Sequence, residues 1–273
     1  MSATSTRVTA EGRATVSAAS AWAVVTAEWT KIRTVRSTFW TLPLTFVLSV
    51  GLGHLIGLSF ADGVSGREET FDPLFAAFYG LTLGQLPLVA FGVLLVGAEY
   101  TSGTIRASLA AVPRRGLFYG GKAFTGLLTA LAVSVVTVVA TFLVSQAALG
   151  RYGTSLGAEG ALPAVVAACL YLTLICVFAM GVATMLRSST LSLGVLLPVF
   201  FLGSQGLGNV PGLKVVTQYL PDQVAAVAMH LTGPAGDPRF GRDYGAWTGM
   251  GILVLWVVAA LVGGYLVLRR RDA

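Results

Sequence analysis

Six long apolar stretches, nearly free of ionisable side chains, alternate with short polar segments along the chain. They run from about Phe39 to Phe60, Leu74 to Ala98, Leu117 to Leu149, Leu162 to Leu186, Leu191 to Leu207 and Ala246 to Leu268. A bilayer core of about 30 Å takes about 20 apolar residues in helical form. Each stretch reaches that length, the fifth only just. A helix satisfies every backbone group of such a run without water. The pattern therefore predicts an all-α integral membrane protein with six transmembrane helices.

The segments between the spans add two predicted helices. Trp22, Val25, Trp29, Ile32 and Val35 recur at three- and four-residue steps and make one stripe of a helix starting near Ala18. Glu28, Lys31, Arg33 and Arg36 lie off that stripe. Tryptophans on one side and Lys/Arg on the other describe an amphipathic helix lying on the membrane surface. It either anchors to anionic lipid or also touches a partner. Residues 1–20, rich in Ser, Thr and Ala, read as a disordered tail, and 21–273 as one membrane domain.

The second added helix lies in the loop from Glu99 to Lys122, which spends more than twenty residues where about five would turn the chain. Ile105, Leu109 and Val112 form a stripe; Gly103 precedes it, Pro113 ends it, and Arg114 and Arg115 follow. This short helix is either an interfacial elbow or a docking element for a soluble motor. The loop Arg187–Thr190 offers a smaller contact on the same side.

Composition agrees with a membrane protein: 55% hydrophobic, 11% charged and a mean hydropathy of +0.78, against about 25% charged residues in soluble domains. Thirteen of the 18 Lys/Arg fall on the side of both termini. That bias places both termini in the cytoplasm. The basic balance is thus a topology signal, and no basic stripe interleaved with aromatics points to nucleic acid.

Candidate chemistry is sparse. His54 is the lone ionisable residue inside a span and reads as packed or interfacial rather than as a relay. Gly116 to Lys122 fits G-x-x-x-x-G-K, but Ala123 stands where magnesium needs Ser or Thr, and the string opens a span. Lys122 reads instead as a snorkelling anchor. Ser204 and His230 belong to no nucleophile elbow, and two His and two Cys, far apart, give no metal site. Cys169 and Cys176 read as inert buried thiols. Gln85 and Gln146 are the strongly polar residues of the spans; each either lines a pathway or hydrogen-bonds a neighbour. Gly53-x-x-x-Gly57 and Gly80-x-x-x-Gly84 mark close helix contacts, internal or between chains.

With these residues in view, the chain resembles the type-2 permeases of ATP-binding cassette (ABC) transporters, which are six-span exporters. The likeness rests on Glu28 to Trp40 (EWTKIRTVRSTFW), on Glu99-Tyr-Thr-Ser-Gly-Thr-Ile-Arg106, on Pro113-Arg-Arg115 and on Lys122. It covers nearly the whole chain from residue 20. It implies no catalysis and no cofactor in this chain. ATP and magnesium would belong to a separate ATP-binding subunit, and a second permease chain, the same or related, would complete the pathway. It implies that Glu99, Gly103, Thr104, Ile105, Arg106, Leu109, Pro113, Arg114 and Arg115 carry coupling to the ATPase. Trp22, Glu28, Trp29, Lys31, Arg33 and Arg36 would form the interfacial helix against membrane lipid. It also implies a partly helical external segment before the last span, which Tyr219 to His230 fits, with a helix starting at Pro221-Asp222. Members move drugs, peptides, lipids, polysaccharides or ions, so export of a drug or peptide is one expectation among several. The alternative is a non-transporting membrane scaffold or sensor.

Overall fold

The computed structural model describes residues 10–63, 71–206, 209–210, 212–233, 237 and 239–270. Among them there are helices and turns and no strand. In chain order the helices are α1 (Ala10–Thr34), α2 (Arg36–Gly63), α3 (Pro73–Tyr79), α4 (Leu81–Ser102), α5 (Thr104–Ala111), α6 (Arg115–Leu149), α7 (Ala161–Leu186), α8 (Ser189–Ser204), α9 (Lys214–Thr217) and α10 (Ala246–Arg270). The helices α2, α6, α7 and α10, and α3 with α4 taken together, are long and apolar enough to span a membrane.

Three predicted boundaries move. The helix α1 starts at Ala10 rather than near Ala18, taking in half of the stretch expected to be disordered. The second span is two helices broken at Gly80. The fifth, expected to reach Leu207, is the 16-residue α8 and ends at Ser204, while Leu207 lies outside the described residues. Sixteen residues rise about 24 Å, short of a full bilayer core. The segment 219–230 covers the free end of α8. Gln223 Nε2 donates to the Gly203 carbonyl at 3.1 Å, and a Cβ at Gly203 would overlap the Asp222 carboxylate. Residues 221–230 are successive turns rather than the regular helix expected. They close as helices close, with Leu231 N–H on the Ala226 carbonyl, His230 N–H on the Val227 carbonyl and His230 at φ 57°.

The most buried helix is α7, which packs against α4, α6 and α10. Between lipid-bathed helices apolar contact gives no net drive, so close packing and hydrogen bonds hold the bundle. Small residues supply the closeness. Gly53 and Gly57 of α2 lie against Thr141, Ser145 and Ala148 of α6. Gly84 lies so close to Ser49 that a Cβ would sit 1.9 Å from its hydroxyl. Both glycine pairs therefore serve internal packing.

Gly84→Ala should destabilise the detergent-solubilised protein by about 1–3 kcal/mol through overpacking, whereas Gly51→Ala, with nothing within 4 Å of its new methyl, should leave the thermal midpoint unchanged. Ser49→Gly added to Gly84→Ala should recover most of the loss.

Candidate functional site

One end of the bundle gathers α1, the close of α4, the whole of α5, the start of α6 and the close of α10. Four ionisable residues from three of these helices meet there. Lys122 of α6 donates to Glu28 Oε2 of α1 at 2.5 Å and to Glu99 Oε1 of α4 at 2.9 Å. Its third proton points to the Leu95 carbonyl at 3.4 Å. Lys31 of α1 donates to Glu28 Oε1 at 2.8 Å and also to Glu99 Oε1. Glu28, Glu99 and Lys122 are buried and Lys31 is partly exposed.

The charges balance two against two. A charge moved out of water costs several kcal/mol unless it is paired and hydrogen-bonded. These four meet that cost mutually, so the cluster ties three helices that are far apart in sequence. Burial works against the Lys31 ammonium, but hydrogen bonds and charges from Glu28 and Glu99 outweigh it and hold its pKa above the usual lysine value.

Two sequence expectations change here. Lys122, expected to snorkel to the interface, is sealed inside because two carboxylates receive it. Glu28, placed on the outward polar side of α1, points into the protein, and Val24 and Ile32 join it on the buried face. Trp22 and Trp29 point outward instead. The signal available in the sequence was the pairing of opposite charges at one membrane depth: Glu99 closing one span, Lys122 opening the next, and Glu28 with Lys31 one helical turn apart.

From Glu99 the chain runs directly to α5. Gly103, at φ 71°, provides the left-handed turn between α4 and α5 that a side chain would strain. The predicted stripe is real. Ile105 is buried, and Leu109 and Val112 pack with it against Phe118, Tyr119 and Leu268. Thr104, Arg106, Pro113 and Arg114 lie on the exposed side. Arg115 donates to the Leu268 and Arg269 carbonyls at 2.6 and 3.1 Å, fixing the close of α10 to the elbow. Arg33 and Arg36 are exposed nearby. The second loop joins the same end, where the Thr101 and Ser189 hydroxyls lie 3.1 Å apart.

The remaining candidates are placed elsewhere. Gln85 is buried, accepting from the Tyr171 hydroxyl and donating to the Thr82 carbonyl. Gln146 donates to the Pro73 carbonyl at 3.1 Å and accepts from Thr154 N–H at 2.7 Å. Both amides bond neighbours. His54 is exposed on α2, and Cys169 and Cys176 are buried free thiols. Among the described residues no cluster of metal-ligating side chains occurs.

The opposite end holds a second polar network that sequence reasoning missed. Its members are separated by up to 158 positions, so no local pattern announces them. His230 Nδ1 lies 2.7 Å from Asp72 Oδ2, while Asp72 caps α3 through Leu74 N–H at 2.8 Å. Burial works against ionising Asp72, yet the His230 and Leu74 hydrogen bonds outweigh it and hold its pKa below the usual carboxylate value. Asp222 is deeply buried, and that burial pushes its pKa up to about 6 despite the hydrogen bond from Gln223.

The comparisons agree with this architecture. A family model described as ABC-2 family transporter protein matches residues 22–273. The chain belongs to that family and is the membrane permease component of an ABC transporter, a membership that implies an ATP-binding partner subunit. A comparison with curated proteins gives no match.

Lys122→Met leaves two buried carboxylates facing one ammonium and should cost about 3–5 kcal/mol of stability. Glu28→Gln combined with Lys122→Met restores neutrality and should unfold at a higher temperature than Lys122→Met alone. Asp222 binds its proton more tightly in the fold than in the unfolded chain, whose carboxylate titrates near ~3.9. Its contribution is therefore fully present below about pH 4 and is lost as pH rises to about 6. Melting curves across that range should show the decline in wild type and a flatter profile in Asp222→Asn.

Proposed function

We propose that the chain is the membrane half of an ATP-driven exporter in the plasma membrane. Its basic end faces the cytoplasm, and α5 is the helix through which a separate ATPase moves it. The orientation rests on the Lys/Arg bias, which puts both termini inside. One observation carries the coupling role. The helix α5 is short and amphipathic, its apolar stripe is packed on the bundle, and its other face is left outward. Its start is fixed to the ion cluster through Glu99, and its exit to α10 through Arg115. A push on α5 therefore reaches α1, α4, α6 and α10 together, which a loop with no partner has no need to do.

The ATPase subunit supplies ATP and magnesium, and hydrolysis takes place there. A second permease chain, identical or related, completes the pathway. The face formed by α2, α4 and α8 suits it. An apolar groove of about 740 Å³ lies there, lined by Leu52, Leu86, Pro87, Pro198 and Phe201. Its lining favours an apolar or amphipathic cargo, such as a drug or hydrophobic peptide, over a hydrophilic ion or sugar. Ion-coupled transport is the weaker reading, since the charges inside the bundle are spent on each other.

Purification from native membranes through a tag on this chain should recover a stoichiometric ATP-hydrolysing subunit; recovery of the chain without one would favour a scaffold or sensor. In that complex, Arg106→Glu or removal of residues 103–112 should abolish transport and cargo-stimulated hydrolysis while membrane insertion stays normal. Undiminished transport in either variant would remove the coupling role from α5.

A further inference from the structure

A cavity of about 270 Å³ lies at the end of the bundle away from the ion cluster, where the break between α3 and α4, the free end of α8 and the segment before α10 meet. Phe75, Tyr79, Leu231 and Phe240 wall it, and Asn209, Gln223 and Arg242 bring polar groups to it. Arg242 is half-buried. Its Nη1 donates to Asn209 Oδ1 at 2.9 Å and to the Phe240 and Gly241 carbonyls at 3.2 Å, and its Nη2 to Gln223 Oε1 at 3.3 Å. Asn209 and Gln223 both line the cavity, so the charged end of Arg242 borders it rather than the stem. All of these acceptors are neutral, as is the neighbouring Tyr244 hydroxyl. Among the described residues no carboxylate pairs with Arg242. Asp222 accepts from Gln223 Nε2 at 2.7 Å, Asp243 from Gln218 Nε2 at 2.5 Å, and Asp237 from the Arg239 and Phe240 N–H groups at 2.7 and 2.8 Å.

The amide and carbonyl acceptors around the cavity are already spent. Arg242 takes Asn209 Oδ1 and Gln223 Oε1, while Gln223 Nε2 and the Gly206 N–H take the Gly203 carbonyl. Donors are left over: the Tyr79 hydroxyl and Asn209 Nδ2 donate to no described residue. A guanidinium without a counter-ion, two open donors and a wall of rings together select an anion with an apolar body. We propose that this cavity binds a small amphipathic monocarboxylate, its carboxylate against Arg242, Tyr79 and Asn209 and its apolar body against Phe75, Leu231 and Phe240. Other ligands match only part of this arrangement. A cation of the same shape repeats the charge of Arg242. A neutral amide leaves that charge uncompensated. Acetate or inorganic phosphate has no body to cover the rings, and a phosphate monoester brings two negative charges to one guanidinium. Because the walls come from α3, the end of α8 and the segment before α10, an occupied cavity ties these three together. The inference stands on the cavity and the unpaired guanidinium, and it holds whether the ligand is cargo or regulator.

The test is equilibrium dialysis of the full-length, detergent-solubilised protein against tritiated naphthylacetate. Binding should saturate, and unlabelled naphthylacetate should displace the probe about tenfold better than naphthylacetamide, the ratio expected when a charge-assisted hydrogen bond replaces a neutral one. Tyr79→Phe should weaken binding about fivefold through one lost hydrogen bond, and Arg242→Gln should abolish it. Arg242 also ties Asn209 to Gln223, so should Arg242→Gln fail to fold, the displacement ratio and Tyr79→Phe decide. Equal displacement by naphthylacetamide overturns the proposal in favour of a merely apolar pocket. Equal displacement by acetate overturns it in favour of a simple anion site, and equal displacement by phosphatidylglycerol in favour of a lipid headgroup. Absence of saturable binding, or binding unchanged in Tyr79→Phe, overturns it outright.

Discussion

Four charges buried at one end of a membrane bundle set the conditions for everything around them. Glu28, Lys31, Glu99 and Lys122 come from three helices, and each is stable where it sits only because the others are there. An apolar contact between membrane helices can slide at little cost, since lipid is as apolar as leucine. A buried ion pair cannot, because parting it strands a charge in a medium that will not solvate it. The cluster is therefore the place where the register of α1, α4 and α6 is set, while the glycine contacts of α2 with α4 and α6 set how closely the rest packs.

That rigidity gives the short helix α5 its meaning. It hangs from the cluster by a single left-handed glycine, rests its apolar stripe on Phe118, Tyr119 and Leu268, and leaves its other face outward. Under the proposed coupling role, such an elbow would convert a local displacement into movement of the whole basic end. The far end is built differently. The helix α8 stops short, and the segment 219–230 seals it with Asp222, Gln223 and the Asp72–His230 contact. The membrane domain is thus pinned by ion pairs at one end and by a titratable polar cap at the other.

The spans were legible in the sequence because bilayer thickness imposes a length and a composition that few other constraints mimic. The helix from Thr104 to Ala111 was legible for a similar reason: Gly103, an apolar stripe and Pro113 bracket it within eleven residues. Two kinds of feature escaped. The inward face of α1 does not follow from the apolar stripe, because in a membrane an apolar side chain such as tryptophan is at home facing lipid and a glutamate is the one that needs the protein. Lys122 carries the local pattern of an anchor because its carboxylate partners lie 94 and 23 positions away. The cap at the far end was invisible for the same cause, since its hydrogen bonds join segments that share no local pattern.

If the ion cluster makes α1, α4 and the α4–α5 junction move as one body, its loss loosens all of them together. Hydrogen exchange by mass spectrometry on the membrane-embedded protein, with and without Lys122→Met, tests it most directly. Exchange should accelerate together in residues 24–34 of α1 and 99–111 spanning the junction, though neither segment is altered. Acceleration confined to the neighbourhood of residue 122 itself would contradict it.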